Sequence, residues 1–481
     1  MNRRTIQRLI GMLLMAFSAT MLPPIGVSLW YQDGESEHFL LTLLLTFISG
    51  IALWLPVHRH RVELRIRDGF IIVALFWTVM SVLSAVPFLF SPHLRFTDAV
   101  FESVSGFTTT GATVIIGLDT LPYSILYYRQ QLQWLGGMGI IVLAVAIFPV
   151  LGVGGMQLYR AETPGPMKDE KLTPRIANTA QALWLIYLGL TVACALAFWL
   201  AGMDWFDAIG HSFSTIATGG FSTHDASLGY FESPLIELLA SLFMLLGGIN
   251  FAIHFKAWRG QSLLYYLRDT EVVSFLVIVA GLSILVMALL WLAGEYSNPF
   301  TALRYAAFQV ISIITTTGFT TANFADWPYF LPVLLIYISF IGGCAGSTAG
   351  GMKVVRVLLL LKQVLREVGQ LVHPRGVIPV KLGDRPMGAA VMNAVWGFFV
   401  LYVFSTTTLT LLMIGTGMDT LSAYSAVATC LNVTGPGLGE VTSNFATVSP
   451  AGKWISVFTM LLGRLEMYTL FVLLMPAFWK K

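Results

Sequence analysis

Apolar residues run almost without interruption over 9–30, 39–57, 70–90, 176–201, 272–294 and 388–415. At 1.5 Å per helical residue, each run is long enough to cross a hydrocarbon core of ~30 Å. Polar positions fall between these runs, so the pattern predicts a chain folded in a bilayer. The first run follows Arg3, Arg4 and Arg8, as a secretory leader would. No small-residue cleavage site comes after it and many spans do, so it reads as the first membrane helix.

Short stretches recur, each after a span. They are TTTGAT at 108–113, ATGGFS at 217–222, TTTGFT at 315–320 and NVTGPG at 432–437. Aligned on Gly111, Gly220, Gly318 and Gly435, each has an alanine twelve residues earlier: Ala99, Ala208, Ala306 and Ala423. The stretch between, such as DAVFESVSGF at 98–107, gives about ten residues of helix, or ~15 Å, half a membrane. Each must enter and return on one side. A second set follows in the next span: LGGM at 135–138, LGGI at 246–249, IGGC at 341–344 and LGRL at 462–465. The predicted fold is therefore all-α and integral to the membrane. Four parallel helix–pore-helix–loop–helix repeats, over 68–155, 172–258, 270–362 and 388–478, surround a pseudo-fourfold pore. An N-terminal two-helix hairpin at 1–58 stands outside them. Both ends of every unit lie on the same side, unlike the inverted repeats of many secondary transporters.

Composition agrees, with 56% of the 481 residues hydrophobic and 11% charged, against about a quarter charged in soluble domains. Cys194, Cys344 and Cys430 form neither a disulfide framework nor a metal cluster. The net charge of +3 hides a separation. With the N-terminus inside and each span flipping the side, 23 of the 28 Lys and Arg residues fall inside. The other side holds Arg95, Arg129, Arg304 and Lys453, and Arg464 lies within a span. The positive-inside rule then sets both termini in the cytoplasm. The outer segments carry 15 acids, which either concentrate cations at an entrance or simply mirror the inner bias.

Irregular backbone at membrane depth survives only where protein buries it or water lines it. Four such loops on one axis would surround a cavity. Half-helix C-termini pointing at it would favour a cation, glycine would let carbonyls turn inward, and a carbonyl ring can replace the hydration shell of potassium. The Gly136–Gly137, Gly247–Gly248 and Gly342–Gly343 pairs also suit close helix packing. In the third unit, GGCAGSTAGG at 342–351 is half glycine, and each glycine weakens a helix by ~1 kcal/mol, so this span is expected to break. It lacks the Gly-Lys-Ser/Thr ending of a phosphate loop. Arg464 replaces the second glycine of the pair in the fourth unit. A charge at membrane depth marks a site, either opposing cation passage or tethering the broken segment. A pair with Glu466 is the structural alternative, weakened because residues two apart on a helix do not face each other. Asn250 could line the cavity, and His211 and His224 are polar contacts or a proton relay. No metalloprotease, serine-hydrolase or paired-aspartate pattern suggests an enzyme.

RDGF at 67–70, QWLGGMGIIVLAVAI at 133–147, GGMQLYRAE at 154–162, GGFSTHDAS at 219–227, FIGGCAGST at 340–348 and GPGLGE at 435–440 resemble the Trk, Ktr and HKT superfamily of potassium transporters. The resemblance covers nearly the whole chain and is closest to the membrane subunit of the bacterial Trk system. It implies a potassium filter at Thr109, Thr110, Gly111, Thr218, Gly219, Gly220, Thr316, Thr317, Gly318, Val433, Thr434 and Gly435. It implies an intramembrane gate of Gly342, Gly343, Gly346, Ser347, Thr348, Gly350 and Gly351 with Arg464. Sodium-favouring relatives carry serine where this chain has Gly111. Pro436 and Asn432 depart from the other loops and predict a stiffer, less symmetrical fourth copy. The resemblance further implies a homodimer in the bacterial inner membrane. A cytoplasmic TrkA-type nucleotide-binding ring would dock, with lipid, on basic segments such as 353–385. No cofactor is expected beyond the transported ion, and no nucleic acid partner. Gated potassium uptake is the leading expectation, and a symporter coupled to protons or sodium the alternative.

Overall fold

The computed structural model describes residues 3–59, 66–142, 176–383 and 385–480. The expected repeat ends at 143–155 and 172–175, the motif at 154–162 and the basic stretch 156–175 lie outside the described residues. Among the described residues, six helices are long and apolar enough to cross a membrane: Arg3–Tyr31, Ser36–Val57, Asp68–Phe90, Gln181–Leu200, Thr270–Leu292 and Ala389–Ile414. They coincide with the six apolar runs. The first two pack together as the N-terminal hairpin, and the other four each open one unit. The only strands among the described residues are Lys381–Leu382 and Arg385–Pro386, paired antiparallel.

After each opening span comes a short helix: Phe96–Phe107, Trp205–Ile216, Pro299–Ile314 and Thr420–Asn432. Local chemistry starts three of them. Asp204 accepts from the Asp207 amide, Asn298 from Phe300 and Asp419 from Leu421 and Ser422, satisfying amides that a helix start leaves open. At 12 to 16 residues they reach only ~18–24 Å and cannot span. Ala99, Ala208, Ala306 and Ala423 are each 0% exposed, where these helices meet their neighbours.

The closing spans are less regular than their sequences suggest. Tyr123–Val142 is described as one helix. The second unit bends by 98° between Pro234–Gly248 and Phe251–Arg259, and the fourth by 113° between Pro450–Arg464 and Met467–Leu474. The third stops at Ser339 and resumes at Val354. The expected break in the third unit is present, and the second and fourth break as well. Glycine and N-cap chemistry explain the second, where Asn250 accepts from the Ala252 amide just past the Gly247–Gly248 pair. Glu466 turns the fourth with φ of 53°.

In the first, second and fourth units, the glycine at the first position of the closing-span motif seats its helix against the end of a short helix, whereas Gly342 of the third meets Gly350 of its own segment. An alanine methyl at Gly136 or Gly463 would lie under 3.0 Å from the carbonyl of Phe107 or Leu431, and one at Gly247 would lie 3.1 Å from that of Ile216. These three carbonyls occupy the same place, four residues before the loop glycine. Small residues here let backbones touch, which drives helix association in lipid. Gly136→Ala is expected to lower stability by about 1–3 kcal/mol through overpacking. Gly189→Ala, where a methyl meets nothing within 4 Å, should cause no loss; thermal unfolding in detergent checks both.

Candidate functional site

The four short helices end in one motif. The amides of Thr109, Thr218, Thr316 and Val433 bond back three residues, to Gly106, Thr215, Ile313 and Cys430. Those of Thr110, Gly219, Thr317 and Thr434 bond back five, to Ser105, Ser214, Ser312 and Thr429, at 2.8–2.9 Å. This is the Schellman arrangement, whose turning residue is usually glycine. Here Thr109, Thr218, Thr316 and Val433 take it, with φ of 59°, 50°, 57° and 62°. A β-branched residue in that region costs roughly 1–2 kcal/mol, and such strain collects at functional sites. Two residues on, Gly111, Gly220, Gly318 and Gly435 also have positive φ, of 81°, 77°, 83° and 90°. Left-handed residues at alternate positions undo the strand habit of throwing successive side groups to opposite faces.

The loops meet in a closed ring. A methyl at Gly111 would strike the carbonyl of Gly219, one at Gly220 that of Thr317, one at Gly318 that of Thr434, and one at Gly435 that of Thr110, all within 3.0 Å. Each glycine thus abuts the residue before the next glycine, and the fourth loop returns to the first. The last junction is the widest, at 2.8 Å. All four helix C-termini therefore converge on one place. The twelve residues singled out in the loops are together, and ten of them are buried, all but Gly111 and Gly220.

Polar side chains brace the ring from behind. Arg129, 1% exposed, donates to Glu102 at 2.8 Å, to the Ser222 carbonyl at 3.0 Å and to Thr113 at 3.2 Å. Arg304 reaches Glu237 at 2.6 Å, and Lys453 reaches Asp98 at 2.6 Å. Three of the four bases that charge patterning placed on the outer side are thus pairs between helices. Gln133, fully buried, donates to the Gly219 carbonyl at 2.6 Å and accepts from the Phe221 amide at 3.0 Å. The sequence reading missed Gln133 and Glu102. The available signal was Arg129, Gln130, Gln131 and Gln133 crowded into one span, since polar residues at membrane depth face the bundle interior.

Residues 340–353 cross beneath the ring on the C-terminal side of the short helices. The Thr348 hydroxyl lies 3.2 Å from that of Thr218 and 3.0 Å from the Ile216 carbonyl. The Gly350 amide donates to the Thr316 hydroxyl at 2.6 Å, and a methyl on Gly350 would strike the Asn432 carbonyl. From the far side, the buried Glu271 accepts from the Ala345 amide at 2.7 Å. Gly343 and Ser347 fold against each other, the Gly346 carbonyl accepts from Phe251, and Gly342 and Gly351 touch at the segment's two ends. Arg464, 3% exposed, donates to the Thr348 carbonyl at 2.9 Å and to the Gly136 carbonyl at 3.3 Å. Glu466 pairs instead with Arg356, at 3.0 Å. Arg464 thus bonds the crossing segment rather than Glu466. Asn250 caps its own helix and packs against Gly346.

His211 is buried between the Asp207 carbonyl and the Ser222 hydroxyl, at 2.9 Å each. His224 lies near the short-helix N-termini, 2.5 Å from Asp119, 3.1 Å from Asp207, and stacked on Tyr230 at 3.5 Å. Burial opposes its charge, but the hydrogen bonds and charges of Asp207 and Asp119 leave its pKa raised. Asp119 is held below the usual carboxylate range, chiefly by its hydrogen bond with His224. A raised histidine stabilises fully below its unfolded value of about 6.5 and loses that contribution as pH climbs through the folded value. His224 should titrate above ~6.5 by NMR, and exchange protection of the amides at 222–225, corrected for intrinsic rate, should fall as pH passes that point. Asp119→Asn should lower the midpoint.

A family model described as TrkH, a cation transport protein, matches residues 35–481. The Trk system potassium uptake protein TrkH of Vibrio parahaemolyticus is 56% identical over 484 residues, covering 100% of both chains. The protein of that name from Escherichia coli K12 is 54% identical over 483 residues, again covering 100% of both. The crystal structure of the potassium transporter TrkH from Vibrio parahaemolyticus matches with a TM-score of 0.93 at 54% identity, covering 100% of each chain.

Proposed function

The chain belongs to the TrkH family of cation transport proteins, and from that premise we propose that it is a gated, potassium-selective uptake pathway through the bacterial cytoplasmic membrane. The ring closure carries this reading: four backbones at equal register, each glycine against the next strand's carbonyl. A dehydrated potassium ion needs several oxygens at once, and backbone carbonyls supply them without mobile side chains. The filter is Thr109–Thr110–Gly111, Thr218–Gly219–Gly220, Thr316–Thr317–Gly318 and Val433–Thr434–Gly435, with four helix C-termini adding partial negative charge. Ions enter from the side of the short-helix N-termini, which is outside if both chain termini are cytoplasmic.

The gate is the crossing segment with Gly342, Gly343, Gly346, Ser347, Thr348, Gly350 and Gly351. Arg464 holds it closed through the Thr348 carbonyl. A homodimer on a TrkA-type cytoplasmic ring would act on it through the basic helix Val354–Val372 that follows. Anionic lipid is a second contact for that basic surface.

Liposome flux and bilayer recording test the proposal: the reversal potential should follow the potassium gradient alone, and one that moves with the proton or sodium gradient would replace the channel with a symporter. Gly111→Ser should cut the potassium-to-sodium ratio at least about tenfold, ~1.4 kcal/mol of discrimination, because a side chain there meets the Gly219 carbonyl at a positive φ. Arg464→Ala should raise potassium flux several-fold in protein that elutes and melts as wild type; unchanged flux counts against the tether as gate.

A further inference from the structure

We infer that Gln133 is a positioning residue that sets ion discrimination, acting in place of a side chain the second filter strand lacks; the inference rests on the filter reading above. In the first and third strands, the residue before the filter glycine is threonine, and its hydroxyl is held by a threonine two positions earlier. Thr110 bonds Thr108 at 2.8 Å, and Thr317 bonds Thr315 at 2.8 Å. The second strand has Ala217 and Gly219 at these positions, so it has no such pair. The gap is filled from the neighbouring unit. A methyl on Gly219 would collide with the Gln133 amide, so that amide stands where the missing side chain would be.

Its two hydrogen bonds flank the filter glycine. The Nε2 group donates to the Gly219 carbonyl, and Oε1 accepts from the Phe221 amide, which fixes the orientation of the amide group. Gly219 supplies the carbonyl that Gly111 abuts. Gln133 therefore grips an oxygen of the ring itself, whereas the threonine pairs grip only their own strands. A carbonyl already accepting from an amide holds its direction and offers a cation less of its lone-pair density. Discrimination between ions of different radius depends on how many oxygens are offered and how strongly, so this side chain bears on selectivity as well as on folding.

The test compares potassium-to-sodium permeability ratios of purified full-length protein in bilayers. Gln133→Met keeps the volume and removes both bonds; the ratio should fall at least about fivefold, the worth of a hydrogen bond of ~1 kcal/mol. In the Gln133→Ala background, the double variant Ala217→Thr/Gly219→Thr, which builds the threonine pair onto the strand, should recover most of the ratio. A structural brace alone would lower stability and all currents together and leave the ratio unchanged. An unchanged ratio in folded Gln133→Met, or a double variant no more selective than Gln133→Ala, overturns the assignment. Should Gln133→Met fail to fold, the double variant against Gln133→Ala decides. Wild-type protein showing no preference for potassium would instead overturn the filter reading itself.

Discussion

The structure depends on an exclusion: at four equivalent places no β-carbon fits. Gly111, Gly220, Gly318 and Gly435 each bring bare backbone against the carbonyl of the next strand. Because the fourth contact returns to the first strand, none can be relaxed alone. Interiors are packed too densely to absorb a displaced strand quietly. Four separate hairpins become one object, and everything around the ring holds their register.

The supports differ in kind. Backbone motifs at the helix ends are the same four times, and they place threonine or valine in a conformation that suits glycine. The cost is repaid on the inner side, where the Thr218 and Thr316 hydroxyls meet the crossing segment. Glycine would ease the turn and forfeit both contacts. Behind the ring, the ion pair Arg129–Glu102 is buried on both sides, and Arg304–Glu237 and Lys453–Asp98 link further helices with one partner of each buried. Buried pairs add little net stability, but breaking one leaves an unpaired charge, so they enforce geometry.

Much of this was legible in the sequence. The spans follow from uninterrupted hydrophobicity, which water-free surroundings demand. The repeat follows from glycine and alanine spacing, because close backbone approach tolerates no other residue. Three things were hidden. The bends after Gly248 and Arg464 rest on one cap at Asn250 and one left-handed residue at Glu466, and nothing within either helix is as glycine-rich as 342–351. The left-handed threonines were hidden because local preference argues against them; only the assembled ring requires that conformation. Gln133 was obscured by its setting, for one amide in a span says nothing until its partner strand is known.

The pseudo-symmetry is a property of backbone, and the side chains behind it only partly follow it. Threonine pairs back the first and third strands, and Gln133 backs the second. In the fourth, Asn432 donates to Ser339 at 2.6 Å and accepts from the Tyr402 hydroxyl, while Pro436 packs on Gly318. The crossing segment uses this inequality. It touches the second, third and fourth strands and leaves the Thr109 hydroxyl of the first buried without a protein partner. On the proposed reading, the segment that closes the passage also holds the inner ends of three strands. Withdrawing it would open a path and release Thr218 and Thr316 in one movement, so access to the filter and order within it are set by the same contacts.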